Sequence, residues 1–154
     1  MNEPVALLDS NVVIACLAEE HEHHAASLAL LIAGESTSLA VTAHSCAETY
    51  ATLTRDRERA LFGFTASEAR AALESVRAAV TLIGLTPSQT FDTICRYAEA
   101  GGIGSRLYDA LFGEAAAAHG IPTIVTWNTR HMVGLFPKLT VVNPTRYLRL
   151  LRSA

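Results

Sequence analysis

Short apolar segments alternate with helical segments along this chain, and this alternation is what most constrains its fold. Apolar runs suited to buried strands lie at residues 5–9, 39–42, 80–85, 122–127 and 139–142. The residues between these runs show helical periodicity or helix-start signals. Parallel strands need long right-handed crossovers, which helices supply. We therefore expect an α/β fold, a three-layer α/β/α sandwich around a mostly parallel central sheet.

Predicted helices fill the intervals between the strands. They cover residues 11–17, 22–32, 43–54, 65–79, 87–101 and 105–119, and a last helix begins at Pro144. Thr65-Ala-Ser-Glu68 has the pattern of a capping box, and Thr86-Pro87 places a cap residue before a proline in the first helical turn. No repeat, low-complexity tract or linker interrupts the series. We expect one domain over residues 1–154.

Composition limits the functional classes. The formal net charge is -3 and the pI is near 6.0, so no global basic field attracts nucleic acid and any such contact must be local. The three cysteines, Cys16, Cys46 and Cys95, are far apart in apolar contexts, and we expect them to be core residues in a reducing compartment. The first residues include an acid and no base, and no apolar run approaches 18 residues, so we expect a cytoplasmic protein.

Three acidic residues lie where a solvated surface position is not the simplest explanation. Asp9 ends the first predicted strand inside the run VALLDSNVVI, at the edge where open α/β sheets bind ligands. An Asp before a helix can equally be an N-cap. Glu48 has only small or uncharged neighbours, and an exposed helix position is its alternative role. Asp109 lies between large apolar side chains, and its alternatives are an ion pair with Arg106 or compensation of the helix dipole near the helix start.

Two further polar residues could join Asp9. Thr126 and Asn128 lie at the end of the strand predicted at residues 122–127, so both can face the same edge of the sheet. For Asn128 the alternative is that it only begins a turn. The histidine-rich segment EEHEHH places His21 and His24 one helical turn apart, but without a third convergent ligand a solvated helix end explains it better.

Taken in order, these segments resemble the PIN domain, and most closely the VapC-type toxins of bacterial toxin–antitoxin pairs. The matching stretches are LLDSNVVI with Asp9, the helical Glu48, LYDALFGEAAAAHGI with Asp109, and TIVTWNTRHM with Thr126 and Asn128. The resemblance covers nearly the whole chain, and it depends on the order and spacing of motifs that are individually short. Asn128 stands where many members have Asp, and Met132 stands where an aromatic residue commonly follows the His.

The resemblance implies an endoribonuclease that uses Mg²⁺ or Mn²⁺, forms a homodimer and is inhibited by a cognate antitoxin. We expect Asp9 and Asp109 to bind the ion directly, and Glu48 to bind a bridging water or to act as a base. Thr126 would position a ligand or a phosphate oxygen, and Asn128 would offer a neutral oxygen or a hydrogen bond to Asp9. With at most three carboxylates, we expect one firmly held ion. Without metal, mutual repulsion predicts a raised pKa for at least one carboxyl.

Arginines are the candidate contacts to RNA phosphates or to an acidic antitoxin segment, although ordinary surface positions would explain them equally well. These residues are Arg55, Arg57, Arg59 and Arg130, with Arg146, Arg149 and Arg152 in the last helix. Apolar residues within 28–32 and 51–61 could form a partner surface or belong to the core.

Other functional classes compete with this interpretation. A catalytically silent PIN-like module that binds RNA or protein would explain the absent fourth acid. A haloacid-dehalogenase-like phosphatase needs Asp-x-Asp after the first strand, whereas this chain has Asp9-Ser-Asn11, and its single lysine, Lys138, is not suitably placed. A receiver domain needs an Asp after the third strand, where LIGLTPS has none.

Overall fold

A computed structural model of the protein describes residues 3–34, 38–55 and 62–154. Its strands are β1 (Ala6–Leu8), β2 (Leu39–Thr42), β3 (Thr81–Ile83), β4 (Thr123–Val125) and β5 (Thr140–Val142). Its helices are α1 (Ser10–Leu17), α2 (His24–Ala33), α3 (Ala43–Leu53), α4 (Ala66–Ala79), α5 (Pro87–Glu99), α6 (Arg106–Ala118), α7 (Thr129–Met132) and α8 (Pro144–Ser153). The strands form one sheet in the order β3-β2-β1-β4-β5, and all neighbouring pairs are parallel.

Helices cover both faces of this sheet. Successive residues of a strand point to opposite faces, so Ala6 and Leu8 lie in a different core cluster from Leu7. The first cluster includes Val12 of α1, Leu30 of α2 and Tyr147 of α8. The second cluster includes Phe112, Ala115 and Ala116 of α6. The expected α/β/α sandwich is confirmed, with a fully parallel sheet.

The predicted capping boxes form at the starts of α4 and α5. The backbone N–H of Thr65 donates to Glu68 Oε2 at 2.7 Å, and that of Glu68 donates to Thr65 Oγ1 at 3.1 Å. Thr86 and Gln89 exchange the equivalent pair of bonds, with Pro87 in the first turn of α5. Because these caps satisfy backbone donors that a helix start leaves free, they place both helix starts at the predicted positions.

Some predictions differ from the structure. Most strands are shorter than predicted, because helix capping and loops take their ends: Val80 caps α4, for example, by donating its N–H to the carbonyl of Val76. The short helix α7 was not predicted. The prediction that all three cysteines are core residues is wrong for Cys95, which is exposed on α5, whereas Cys16 is buried and Cys46 is half-buried. Among the described residues, no helix is both long enough and apolar enough to cross a membrane.

Candidate active site

The carboxyl edge of the sheet brings together residues that are far apart in sequence. Because β1 and β4 are parallel neighbours, Asp9 and Thr126 both lie just beyond their carboxyl ends. Thr126 is fully buried, and its hydroxyl donates to Asp9 Oδ2 at 2.8 Å. The other carboxylate oxygen, Oδ1, accepts the backbone N–H of Ser10 at 2.8 Å, so Asp9 also caps α1. Asp9 can therefore cap α1 and still face the site at the edge of the sheet, so the two roles that the sequence left open are compatible.

Asn11 completes this arrangement, which we call the Asp9 corner (Asp9, Asn11 and Thr126). Its side-chain Nδ2 donates to Asp9 Oδ2 at 3.1 Å and to Thr126 Oγ1 at 3.0 Å. Its Oδ1 accepts the backbone N–H of Trp127 at 3.1 Å. Sequence reasoning noted Asn11 only as a departure from Asp-x-Asp. Its position, two residues beyond Asp9 in the first turn of a helix, was the signal that could have identified it.

Burial raises the pKa of Asp9 above its ordinary value of 3.8. The hydrogen bonds from Thr126 and Ser10 favour the ionised form and act against this shift. The charges of Glu48 and Asp109 add a smaller contribution that raises the pKa. The expected raised pKa is therefore present, but desolvation, not repulsion between carboxylates, is its main cause.

Glu48 of α3 and Asp109 of α6 line the same crevice as Asp9, a cavity of about 330 Å³. We call it the acidic crevice; its lining also includes His44, Tyr108 and Phe112. Glu48 is exposed, and its Oε1 lies 3.0 Å from Nε2 of His44, one helical turn earlier. Asp109 does not pair with Arg106, whose Nη2 instead donates to the carbonyl of His131 at 3.3 Å. His44 and Tyr108 were not identified from the sequence.

The donor set of the crevice suits a hard divalent cation. In the described ranges, no three His, Cys, Asp or Glu side chains lie close enough together to form a ready-made metal cage. Asp9, Glu48 and Asp109 instead lie on separate elements around one cavity. Mg²⁺ keeps several waters and needs only one or two carboxylates from the protein, so this spread of oxygen ligands fits it.

The histidines of the segment EEHEHH contact protein groups outside the acidic crevice. His24 Nδ1 lies 2.9 Å from the carbonyl oxygen of Ala15. The ring of His23 stacks on Trp127 with a centroid distance of 3.8 Å, and the indole Nε1 donates to Ser27 Oγ at 2.9 Å. Within residues 3–34 these histidines form no metal cluster. Only His23 packs against Trp127, just beyond β4, but all three histidines are half-buried and therefore less solvated than predicted.

Asn128, Arg55 and Arg130 lie outside the crevice lining. Asn128 is exposed and precedes α7, and its backbone N–H donates to Thr126 Oγ1 at 3.0 Å. Arg130 is exposed on α7, and Arg55 is exposed after α3. Arg57 and Arg59 lie outside the described residues.

Fold and site together define a class: a parallel α/β/α protein with carboxylates around a crevice at the carboxyl edge of its sheet. The family model of the PIN domain matches residues 6–132. The chain therefore belongs to the PIN domain family, as its sequence resemblance predicted.

Solved structures share this fold at low sequence identity. VapC20 of Mycobacterium tuberculosis, described as a sarcin-ricin loop cleaving toxin, has a TM-score of 0.64 and 15% identity over 84% of this chain and 94% of its own. VapBC2 of Rickettsia felis, solved with a promoter DNA fragment, has a TM-score of 0.61 and 18% identity over 90% of this chain and 97% of its own. FitAcB of Neisseria gonorrhoeae has a TM-score of 0.58 and 17% identity over 91% of this chain and 98% of its own. A search of the curated proteins gives no significant match.

Proposed function

We propose that this protein is a Mg²⁺- or Mn²⁺-dependent endoribonuclease that acts in the cytoplasm as the toxin of a toxin–antitoxin pair. The observation that carries the proposal is the placement of Asp9, Glu48 and Asp109 around one crevice of a PIN domain. The description of VapC20 as a sarcin-ricin loop cleaving toxin supports RNA as the substrate class.

Phosphodiester hydrolysis brings an anionic nucleophile to an anionic phosphate. A bound divalent cation neutralises this charge and lowers the pKa of water. Asp9 and Asp109 are the residues that would hold it. Hydrogen bonds within the Asp9 corner fix the Asp9 carboxylate in place, and the crevice leaves Asp109 open to approach from the other side.

Glu48 is the residue that would accept a proton. It is more exposed than the other two carboxylates, and its contact with His44 holds one oxygen while the other remains available. A carboxylate in hydrogen-bond reach of a water can take its proton as the phosphate is attacked. Thr126 and Asn11 act through Asp9, so they are positioning residues. Asn128 lies outside the crevice lining and would contribute at most a neutral group beside Thr126.

The proposed partners are RNA, a cognate antitoxin and a second copy of the chain. Arg55 and Arg130 are exposed and available for phosphate contacts. A homodimer surface is available on α5, where four exposed apolar or small residues follow helical spacing: Phe91, Ile94, Cys95 and Ala98. The most exposed large side chain of this stripe, Phe91, is 67% exposed.

The dimer is tested by Phe91→Glu, which places a charge in the stripe. Sedimentation of the wild-type protein should give a dimer, and the variant should sediment as a monomer. Mild oxidation should cross-link two copies through Cys95 if the stripes meet. A monomeric wild-type protein at micromolar concentration would contradict the homodimer.

The nuclease is tested with purified, antitoxin-free protein and end-labelled total RNA, in Mg²⁺ or Mn²⁺ against EDTA. We expect discrete products from the wild-type protein in metal, and none from Asp9→Asn. The matched control is Asp92→Asn, which changes an exposed Asp of α5 outside the crevice lining and should cleave normally. Intact RNA with folded, metal-bound wild-type protein would favour the silent binding module, and equal cleavage by Asp9→Asn would indicate contamination.

A further inference from the structure

Two aromatic rings line the acidic crevice beside the carboxylates. The rings of His44 and Tyr108 are nearly parallel, with 5° between their planes and 5.7 Å between their centroids. His44 lies in the first turn of α3 and Tyr108 in the first turn of α6, so the pair joins the two walls of the crevice. The His44 side chain is 62% exposed, and Tyr108 is 55% exposed. The ring pair is therefore open to a ligand.

We propose that His44 and Tyr108 form a stacking platform for an unpaired base of single-stranded RNA next to the cleaved phosphate. This proposal rests on the proposed ribonuclease function and specifies its substrate. At this spacing the two rings are already in contact, so a base would stack on an exposed face of the pair and not between the rings. Aromatic side chains bind the flat faces of splayed bases in this way.

A purely structural role does not explain the exposure of Tyr108. One turn later on the same helix, Phe112 is buried in the second core cluster, whereas the ring of Tyr108 remains in the crevice. Within the described ranges, the Tyr108 hydroxyl has no hydrogen-bond partner. The apolar side chains of Leu85 and Leu111 also line the cavity, whose volume falls within the range of about 300–1,000 Å³ typical of ligand sites. The crevice therefore offers flat and apolar surface as well as charge.

The platform lies beside the groups proposed to act on the phosphate. Tyr108 directly precedes Asp109, and His44 Nε2 lies 3.0 Å from Glu48 Oε1. A nucleotide stacked on the rings would therefore carry its phosphate toward the carboxylates. In a duplex, neighbouring bases already cover both faces of each base. The substrate class that fits is RNA with an unpaired nucleotide at the cleavage site.

Binding measurements test the platform. The probe is a fluorescein-labelled, ten-nucleotide oligoadenylate, used intact or as a fully abasic ribose-phosphate strand of the same length, and the protein carries Asp109→Asn to prevent cleavage. In Mg²⁺, we expect Tyr108→Ala to weaken binding of the intact strand by about 5- to 150-fold, the range for loss of one base–aromatic stack. Tyr108→Phe keeps the ring and should bind within about twofold of the parent protein.

The abasic strand and two controls separate stacking from general damage. Tyr108→Ala should bind the abasic strand as the parent does, because no base is left to stack. Tyr50→Ala removes an exposed tyrosine outside the crevice lining and should change neither affinity. His44→Gln can keep a hydrogen bond to Glu48 without the aromatic ring, so weaker binding by this variant assigns the loss to the ring.

The results also distinguish this proposal from the proposed function. If wild-type protein cleaves RNA but Tyr108→Ala binds the intact strand unchanged, the platform is wrong and the nuclease stands. If Tyr108→Ala loses both strands equally, the tyrosine is structural and the platform is wrong. If the base-dependent pattern appears but the wild-type protein never cleaves RNA, the platform proposal holds and the protein is an RNA-binding module instead of a nuclease. No binding of either strand by the parent would overturn the platform and point to a protein ligand.

Discussion

Asp9 and Asp109 are both expected to hold the ion, yet the fold holds these two carboxylates very differently. Asp9 accepts hydrogen bonds from Ser10, Asn11 and Thr126, and burial raises its pKa. Asp109 is half-buried, and its carboxylate makes no hydrogen bond or ion pair in the described part of the chain. One side of the acidic crevice is fixed before any ion binds, and the other side is free to adjust.

This difference follows from where each residue lies. The Asp9 corner lies over the end of the central strand, where each buried polar group must find a partner, and in the described residues no buried side-chain N or O atom lacks one. Asp109 lies on the crevice side of a helix, where its carboxylate faces the cavity. A carboxylate held by hydrogen bonds opposite one without such bonds suits Mg²⁺, which keeps part of its water shell. We therefore expect changes at the corner to affect stability and activity together, and changes at Asp109 to affect activity alone.

The largest expected effect is the loss of cleavage in Asp109→Asn. Removing an ion ligand forfeits several kcal/mol of charge stabilisation in the transition state, which corresponds to about a 10³-fold slower reaction. Because the Asp109 carboxylate makes no hydrogen bond to a described residue, the free energy of unfolding of the metal-free variant should differ from that of the wild type by less than about 0.5 kcal/mol. Single-turnover cleavage and urea denaturation measure the two quantities. A variant that unfolds much more easily would show that Asp109 is part of the folded scaffold.

Asn11→Ala should lower both the rate of cleavage and the free energy of unfolding. The substitution removes two donors from the corner and leaves the backbone N–H of Trp127 without its acceptor. We expect a loss of about 1–3 kcal/mol in stability and a loss of roughly 10- to 100-fold in activity. Asn143→Ala is the matched control, because it removes the N-cap of α8, at a cost of about 1 kcal/mol, far from the crevice lining. If both variants lose activity in proportion to stability, Asn11 has no specific positioning role.

Binding of Mn²⁺ to the wild-type protein should stabilise it. At a hundred times the Kd, an ion that binds only the folded state adds about 2.7 kcal/mol, which raises Tm by roughly 5–10 °C for a domain of this size. Differential scanning fluorimetry with a Mn²⁺ titration measures this shift. Asp9→Asn and Asp109→Asn should each reduce it, because each removes a ligand. A full shift in Asp109→Asn would restrict the ion to the Asp9 side.

The sequence predicted most of the fold because its signals are local. Buried parallel strands appear as short apolar runs, and the helix starts of α4 and α5 follow from their capping boxes. The helix α7 and the exposure of Cys95 were not predictable in this way. A four-residue helix has too few residues to show a helical period. Cys95 lies in an apolar stripe of α5, and such a stripe has the same sequence pattern whether it is buried in the core or exposed on the surface.

The sequence identified the candidate acids of the site because a charged residue among apolar neighbours is unusual. Asp9, Glu48 and Asp109 all line the acidic crevice as expected. Asn11, His44 and Tyr108 were missed for a common reason: ordinary helix positions explain these residue types equally well. Each lies within one helical turn of a carboxylate in sequence, but its contacts across the crevice, from Asn11 to Thr126 and from His44 to Tyr108, depend on tertiary packing that a local pattern does not show.

The smallest expected effect is a pH dependence that belongs to Asp9. Its pKa in the folded protein is raised above the unfolded value of 3.8, chiefly by burial. Between these two pKa values the folded state binds more protons than the unfolded state, so stability falls as pH rises through this window. Below 3.8 the contribution is fully present, and above the folded pKa it is lost. Glu48 and Asp109, the acidic groups that act on Asp9 across the crevice, strengthen the trend.

Comparison with Asp9→Asn isolates this contribution from the other carboxyl groups. The difference in unfolding free energy, wild type minus variant, should decrease as the pH of metal-free buffer is raised from 3.5 toward neutrality, roughly the range in which a raised carboxyl pKa is passed. Urea denaturation at several pH values gives this difference. Saturating Mn²⁺ should reverse the trend, because the ion binds the ionised carboxylate. A difference that is flat with pH, or that grows, would mean that hydrogen bonds from Thr126 and Ser10 outweigh burial at Asp9.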